Sequence, residues 1–268
     1  MNANFHTHSV FCDGGDTPAV MAATALEKGL THLGFSGHCY LPFDPCGIPP
    51  ERMEAYRRSV LHLKEEYRGR LHIFLGIEQD YFGGMRAEGF DYAIGSVHFL
   101  SKNGETLCVD RSREETDRII ADFFGGDPYA YAEAYFALVG EVLEVTGGDF
   151  VGHFDLIRKF DEEGRIFDET HPRYRAAVLA ALERLCAKNA LFEINTGAIA
   201  RGYRKTPYPS LWILEEIRQR GGGILINSDC HHAPDLDCAY EQAVALAKAA
   251  GFTHQFRPEE GGFVETPL

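Results

Sequence analysis

Short apolar runs alternate with longer amphipathic segments along nearly the whole chain. The short runs are rich in β-branched and aromatic residues, which is typical of buried strands. We place seven strands at the opening NANFH segment and at residues 31–38, 71–78, 91–99, 149–155, 190–196 and 222–229. Strands that alternate with helices indicate a parallel sheet, and seven such units over this length favour a closed barrel.

The longer segments between the strands carry helix start signals. Three of them open on a capping residue that is followed within two positions by proline, and the caps are Thr17, Asp127 and Thr170. A further helix is predicted to start near Pro234, and residues 51–68 are expected to form another with a charged outer face. No repeat, linker or low-complexity stretch divides the chain, so we expect a single domain over its full length, residues 1–268.

Composition narrows the class of protein. No apolar run approaches the roughly 20 residues that span a bilayer, and the start lacks a signal-peptide pattern, so we expect a cytoplasmic protein with no membrane partner. The net charge of −14 would repel a nucleic-acid backbone. A small anionic substrate stays compatible with this charge if bound cations reverse its sign locally.

Histidine, aspartate or glutamate is found at or near the carboxyl end of every predicted strand. In HTH, alternation points His6 and His8 to the same side of the strand, and SDCHH does the same for Asp229 and His231. Because the carboxyl ends of parallel barrel strands meet at one mouth, these side chains are expected to share a cavity. Nine candidate ligands result: His6, His8, Asp13, His38, Glu78, His98, His153, Asp229 and His231.

Neutral imidazoles and carboxylates are the ligands that zinc, manganese and iron take in proteins. Nine ligands are too many for one ion, whereas three ions could share them if Glu78 bridges two. A lone strand-end histidine is more often a hydrogen-bonded structural residue, so the prediction depends on the joint pattern. Glu193 and Asn195 lie on the sixth strand without an assigned role.

The seven cysteines argue against a disulfide framework, because their number is odd, their spacing is irregular and no C-x-x-C occurs. Cys186 falls in an apolar helix pattern and is predicted to be a core residue. Cys12, Cys39 and Cys230 lie beside candidate ligands. We expect these three to line the wall of the site, with soft metal ligation as the alternative.

In their order, these motifs resemble the polymerase and histidinol phosphatase (PHP) family over essentially the whole chain. The matching motifs are HTH at the start, GH at 37–38, GIE at 76–78, SVH at 96–98, GHFD at 152–155 and SDCH at 228–231. Longer segments such as GFSGHCYLPF and GHFDLIRKF are similar to the family's phosphatases of histidine biosynthesis. The resemblance implies a distorted seven-stranded (β/α)7 barrel of TIM-like type, in agreement with the strand count.

The resemblance also implies how three divalent transition-metal ions (zinc, manganese or iron) would divide the ligands. Glu78 would bridge the first two ions. The three sets would be His6, His8, Glu78 and Asp229; Glu78, His98 and His153; and Asp13, His38 and His231. The chain departs from the family in the CDGGD turn, where many relatives have a histidine. Asp13 is the expected replacement and Asp16 the alternative.

The implied reaction is hydrolysis of L-histidinol phosphate to L-histidinol and phosphate, by a hydroxide that bridges two ions. Arg158 and Arg201 follow the fifth and sixth strands and are expected to bind the phosphate, because a guanidinium suits bidentate contacts. Lys159 and Arg204 are the alternatives for this role.

The leaving alkoxide needs a proton, for which Asp229 and His231 are both candidates. The substrate also carries an amine and an imidazole ring. An acidic loop side chain could pair with the amine, and Tyr40, Phe43 or Phe99 could pack on the ring.

Three other functions compete with this one. The first is hydrolysis of another small phosphomonoester, such as a nucleotide or sugar phosphate. The second is a structural or proofreading module of a DNA polymerase, against which the acidic charge and the lack of a polymerase region both count. The third is a metal-binding barrel without catalysis.

Overall fold

The computed structural model describes residues 3–268, and its centre is a parallel sheet that curves into a nearly closed barrel. The strands, in chain order, are β1 (Ala3–Asn4), β2 (His32–Phe35), β3 (His72–Asp80), β4 (Tyr92–Ser96), β5 (Phe99–Lys102), β6 (Glu105–Cys108), β7 (Phe150–Val151), β8 (Leu191–Asn195), β9 (Gly223–Asn227), β10 (His254–Glu259) and β11 (Gly262–Pro267). The barrel consists of β1, β2, β3, β4, β7, β8 and β9, paired in that order. The predicted seven-stranded barrel is thus confirmed.

Side chains and a short backbone bridge close the barrel between its first and last strands. The Phe5 N–H donates to Asn227 Oδ1 at 2.8 Å. Nearer the mouth, Thr7 and Cys230 form a parallel β-bridge, and the His8 N–H donates to the Cys230 carbonyl at 2.8 Å. This junction sets the HTH segment directly beside the SDCH segment.

Helices surround the barrel. They are α1 (Pro18–Glu27), α2 (Pro50–Glu66), α3 (Arg113–Phe124), α4 (Pro128–Val139), α5 (Val142–Thr146), α6 (Pro172–Cys186), α7 (Gly197–Ala200), α8 (Leu211–Gln219) and α9 (Tyr240–Ala249). Within the described residues, each helix is too short or too polar to cross a bilayer.

Two of the three predicted caps are confirmed. The Thr17 side chain accepts a backbone N–H at the start of α1, and Asp127 accepts two at the start of α4. The third prediction was wrong, because His171 caps α6 through its ring nitrogen. The Thr170 hydroxyl instead donates to Asp168 in the preceding turn at 2.7 Å.

Other helix boundaries also differ from the sequence pattern. Residues 127–145 form two helices that are separated at Gly140. The α4 backbone also passes close to α6 there, since a Cβ on Gly140 would lie 3.2 Å from Ala181 Cα. The helix expected from Pro234 begins only at Tyr240, after a 3₁₀ turn. The pattern did not predict α3, α7 or α8.

Aromatic side chains fill the lower interior of the barrel. Phe5, Phe74, Tyr92 and Phe150 pack together with Leu225 in one buried cluster. The Tyr92 hydroxyl donates to the Phe5 carbonyl at 2.6 Å, which fixes the ring across the interior. This packed layer supports the carboxyl ends of the strands, where the polar side chains gather.

Two antiparallel hairpins lie outside the barrel sheet. The β10–β11 hairpin covers the amino ends of the strands, where Phe263 packs on Phe150 with ring centroids 6.3 Å apart. His32 Nε2 lies 3.1 Å from Glu259 Oε1 of this hairpin, so His32 is at the end of the barrel opposite the candidate ligands. The β5–β6 hairpin stands at the other end and contributes Phe99 and Cys108 to a cavity wall.

Candidate metal centre

The nine candidate ligands lie around one cavity of about 470 Å³ at the carboxyl ends of the strands. Seven of them line the cavity, while His6 and His8 are completely buried beside it. Their potential ligand atoms fall into four overlapping groups, each within 4.8 Å: His8, Asp13, His38 and His231; His6, Glu78 and His153; His6, His8 and Asp229; and His38, Glu78 and His98. The strand-end pattern therefore does bring these side chains together.

Glu78 lies at the centre of the cluster. Its Oε2 is 3.1 Å from His6 Nε2 and 2.9 Å from His38 Nδ1. Its Oε1 is 2.9 Å from His153 Nε2 and 3.4 Å from His98 Nε2. The two oxygens of one carboxylate thus face two different sets of imidazoles, which is the arrangement that a bridging ligand requires.

Several of these atoms are buried without a hydrogen bond. His6 Nε2, His8 Nε2 and Glu78 Oε2 are inaccessible to solvent, and none of them forms a hydrogen bond despite their close approach. A buried polar atom without a partner costs free energy. Because imidazole nitrogens and carboxylate oxygens are good ligands for transition metals, a bound cation would remove this cost, and the residues fit a metal-binding cluster.

The charges in the cluster shift the protonation of its members. Burial by itself lowers the pKa of His6, but the carboxylates of Glu193, Glu78 and Asp229 outweigh it and hold the pKa well above its usual value. Burial likewise would raise the pKa of Glu78, but the neighbouring histidines hold it well below its usual value. Protons and metal ions therefore compete for the same atoms, and metal affinity should fall as the pH falls.

Glu193 on β8 orients the innermost ligands, a role that the sequence pattern did not assign. Its Oε1 lies 2.7 Å from His6 Nδ1, so that the Nε2 of His6 faces Glu78. Its Oε2 accepts the backbone N–H of His153 at 2.9 Å. The alternation of side chains along ALFEINT could have indicated this inward direction, because Phe192 and Ile194 occupy the other face.

We expect Glu193→Gln to weaken zinc binding about 10- to 100-fold, as the loss of a carboxylate partner to a ligating histidine typically does. Competition titration against a zinc-binding dye measures the affinity. Glu183→Gln on the exposed face of α6 is the matched control and should leave it unchanged. Equal affinities in the two variants would show that Glu193 does not support the ligands.

The CDGGD turn places Asp13, and not Asp16, among the histidines. Asp13 Oδ2 lies 3.2 Å from His231 Nε2, and its Oδ1 lies 3.6 Å from His38 Nε2. Asp16 Oδ2 instead accepts the backbone N–H of Ala233 at 2.8 Å. Asp16 therefore fixes the turn that follows the last barrel strand.

Arg201 reaches the cavity from the C-terminal end of α7. Its Nη2 donates to Asp229 Oδ2 at 3.0 Å, and its Nη1 lies 3.0 Å from His231 Nδ1. Gly197 makes this approach possible, since a Cβ there would lie 2.9 Å from Arg201 Nη2 and 2.8 Å from Asp229 Cβ. Asp229 itself has a φ of 48°, an uncommon backbone conformation of the kind found at functional sites.

The other expected arginine, Arg158, is not among the residues that line the cavity. Its Nη1 lies 2.6 Å from Glu169 Oε1 and 3.1 Å from Ser210 Oγ, and the side chain is almost completely buried. The next residue, Lys159, does line the cavity, and its Nζ donates to Asp110 Oδ2 at 3.0 Å. The 3₁₀ turn that ends at Arg158 thus turns the lysine toward the cavity and the arginine away.

The cysteines near the ligands differ from expectation. Cys12, Cys39 and Cys230 are not among the cavity-lining residues, and none of them belongs to a potential ligand group in the described part of the chain. Cys46 and Cys108 line the cavity instead. All seven cysteines have free thiols, and the sequence pattern likewise argued against a disulfide framework.

Solved structures share this architecture. A putative histidinol phosphatase from Listeria monocytogenes aligns with a TM-score of 0.77 at 21% identity, covering 90% of this chain and 99% of that one. The histidinol phosphate phosphatase of Lactococcus lactis subsp. lactis Il1403, complexed with Zn, L-histidinol and phosphate, aligns with a TM-score of 0.69 at 19% identity and 98% coverage of both chains. These likenesses show a common fold.

Sequence comparison agrees with the fold. The histidinol-phosphatase of Bacillus subtilis (strain 168) is 29% identical over 260 residues, covering 88% of this chain and 96% of the relative. A probable histidinol-phosphatase of Deinococcus radiodurans is 27% identical over 268 residues, covering 94% and 95%. The model of the PHP domain matches residues 4–197, which contain seven of the nine clustered side chains. With most of its length matched and its histidines and carboxylates gathered at one barrel mouth, the chain belongs to the PHP family.

Proposed function

We propose that this chain is a metal-dependent histidinol-phosphatase, which hydrolyses L-histidinol phosphate to L-histidinol and phosphate in histidine biosynthesis. The observation that carries the proposal is one cavity in which the histidine and carboxylate groups face Lys159 and Arg201. The Bacillus subtilis and Deinococcus radiodurans relatives, named as histidinol-phosphatases, support it over nearly the whole chain. The Lactococcus lactis structure with Zn, L-histidinol and phosphate supports it within the same fold.

We propose that the cluster holds three divalent ions of zinc, manganese or iron. The ligand sets would be His6, His8, Glu78 and Asp229; Glu78, His98 and His153; and Asp13, His38 and His231, with His8 also close to the third set. Bound cations of this kind lower the pKa of water and neutralise charge on phosphoryl oxygens. Zn in the Lactococcus lactis structure supports the metal class.

Two cationic side chains of this chain are proposed to bind the phosphoryl oxygens. Arg201 is held by Asp229 and Lys159 by Asp110, so both are positioned before substrate arrives. Arg201 also lines the cavity, where its planar guanidinium suits contacts to phosphate oxygens. Asp229 and His231 both line the cavity, and either can pass a proton to the leaving alkoxide.

We expect the neighbouring residues Arg158 and Lys159 to respond differently to alanine substitution. Lys159→Ala should raise KM and lower kcat/KM for L-histidinol phosphate about 10- to 100-fold, because a charged hydrogen bond to substrate is lost. Arg158→Ala should keep kcat/KM within a few-fold but lower the free energy of unfolding by about 2 kcal/mol, because Glu169 loses a largely buried partner.

Steady-state kinetics and urea unfolding of both variants measure these two effects. If Arg158→Ala has the larger kinetic effect, Arg158 and not Lys159 is the phosphate-binding residue. If neither substitution changes the kinetics, the phosphate is bound without this segment.

Phosphate release tests the proposed function directly. The protein, reconstituted with zinc or manganese, should hydrolyse L-histidinol phosphate with a higher kcat/KM than nucleoside monophosphates or sugar phosphates. A higher value for one of those would favour the alternative, a phosphomonoesterase of another substrate. Absence of phosphate release from every ester with every metal would reject a phosphatase.

The partner and the cellular location that we propose both follow from the proposed reaction. The partner is a small phosphomonoester and not a nucleic acid, since a net charge of −14 repels a phosphate backbone. Because the proposed reaction is a biosynthetic step on a small polar metabolite, we also propose a cytoplasmic location.

A further inference from the structure

The cavity extends past the candidate metal ligands to a second wall, of which the proposed chemistry uses only Asp110, through its ion pair with Lys159. We refer to it as the outer wall, and it consists of Asp44, Pro45, Cys46, Phe99, Cys108 and Asp110. The first three belong to the loop that precedes α2, and the others belong to the β5–β6 hairpin and the turn after it. A substrate whose phosphate lies at the metal ligands would present its remaining groups to the outer wall.

Asp44 differs from the other carboxylates of the cavity in having no cationic partner. Asp110 is paired with Lys159 and Asp229 with Arg201, each at 3.0 Å, while Asp13 and Glu78 face histidines. Over residues 3–268, no lysine, arginine or histidine forms an ion pair with Asp44. The hydrogen bonds of Asp44 stay within its own loop: its Oδ1 accepts the Cys46 N–H at 3.1 Å, and its own N–H donates to the Leu41 carbonyl at 3.1 Å.

A carboxylate at a cavity wall with unused acceptor capacity can bind a cationic group of the ligand. Arg111 also lines the cavity without an ion pair, but its side chain is exposed and no hydrogen bond joins it to Asp44 in the described residues. Asp44 is therefore available to a ligand, and Arg111 is the protein group that could compete for it.

An aromatic pair adjoins the loop that carries Asp44. The rings of Phe43 and Phe99 meet edge to face with centroids 5.2 Å apart. Phe99 lines the cavity, whereas Phe43 keeps 47% of its surface exposed at the rim. Aromatic rings next to a carboxylate form a surface that suits both a flat heterocycle and an ammonium group.

We propose that Asp44 determines substrate selectivity by binding the ammonium group of an amine-bearing phosphomonoester, whose ring packs on Phe43 and Phe99. The proposal rests on the proposed function, which places the phosphate at the other end of the cavity. The two ends of the cavity then match a ligand with a negative phosphate and a positive amine. A phosphomonoester without the amine would leave Asp44 unpaired and would bind less well.

Asp44→Asn tests this assignment, because the asparagine oxygen can still accept the Cys46 N–H while the charge is removed. The substrates are L-histidinol phosphate and its deamino analogue, 3-(imidazol-4-yl)propyl phosphate, assayed with the zinc-loaded protein. We expect the ratio of their kcat/KM values to fall about 10- to 100-fold in the variant, as for a lost charged hydrogen bond.

Two further variants serve as controls. Glu54→Gln removes the same charge from an exposed position on the following helix, α2, and should leave the ratio at the wild-type value. Arg111→Gln should also leave the ratio of the two kcat/KM values at the wild-type value. An equal change in Arg111→Gln and Asp44→Asn would mean that Asp44 pairs with Arg111 and not with substrate, which overturns the proposal.

The outcomes separate this proposal from the proposed function. A wild-type protein that hydrolyses L-histidinol phosphate, together with an Asp44→Asn variant of unchanged ratio, overturns the role of Asp44 alone. A wild-type protein inactive on both esters rejects the proposed function and this inference with it. If the variant fails to fold, inhibition of the wild type decides: L-histidinol should inhibit more strongly than its deamino analogue, and equal inhibition overturns the proposal.

Discussion

The Glu78→Gln variant should lose bound metal and about 10³-fold or more of kcat/KM, because cations contribute several kcal/mol to stabilising a phosphoryl transition state. Glu78 has the most central position of the nine side chains, with one oxygen facing His6 and His38 and the other facing His153 and His98. Glutamine fills the same space but supplies one neutral oxygen in place of a shared negative charge. The effect should therefore reach two metal sites at once.

Elemental analysis of the purified variant, combined with phosphate release at saturating zinc or manganese, measures both quantities. Glu88→Gln, an exposed change in the loop before β4, is the control and should behave as the wild type. A Glu78→Gln protein with full metal content and near wild-type turnover would contradict a bridging role. A loss of turnover with full metal content would instead assign Glu78 to the chemistry alone.

The second large effect is expected for Arg201→Ala, which should lower kcat/KM for L-histidinol phosphate about 10²- to 10³-fold, as the loss of one preorganised transition-state donor does. The metal content should stay close to the wild-type value, because Asp229 keeps its carboxylate and loses only a competing cation. Arg201→Lys should recover part of the activity, since lysine restores the positive charge but not the planar guanidinium that can bind two oxygens at once.

Lys205→Ala is the matched control for Arg201, since Lys205 is an exposed cation on the same loop and is not among the residues that line the cavity. It should leave the kinetics unchanged. Unchanged kinetics in Arg201→Ala would remove this arginine from the phosphate site. A parallel loss of metal and activity would show that Arg201 acts mainly by holding Asp229 in place.

The barrel and the clustered ligands were predictable because both follow from local periodicity and one topological rule. Strands of known direction bring their carboxyl ends together whatever the loops do, so His6 and Asp229 could be placed side by side from 223 positions apart. The nearness of these residues needs no knowledge of packing. Their exact contacts do, and for that reason the hydrogen bonds of Glu193 with His6 and with the His153 backbone appeared only in the structure.

The prediction for Arg158 shows what such reasoning does not reach, which is whether a given side chain faces the cavity. Which of two adjacent cations faces a cavity depends on the phase of a 3₁₀ turn, and this phase is set by contacts with Ser210 and Glu169 from distant segments. No periodicity in DLIRKF encodes it. The structure places Lys159, and not Arg158, at the cavity wall.

The β5–β6 hairpin, by contrast, could have been predicted from the sequence of its turn. Asn103 and Gly104 both have positive φ, of 54° and 83°, as the Asn-Gly pair of a two-residue hairpin turn requires. Recognising that turn would have predicted the hairpin. Its position over the cavity, which brings Asp110 to Lys159, still depends on packing that the pattern does not contain.

The junction between the first and last barrel strands has a consequence for biosynthesis of the protein. The backbone bridge between Thr7 and Cys230 joins the earliest and latest parts of the barrel, and proposed ligands flank it on both sides. A ribosome must therefore release the chain through Asp229 before the proposed first ion can bind all four of its ligands. Binding of this ion by its complete ligand set would then follow synthesis of the last barrel strand and could not occur on a shorter nascent chain.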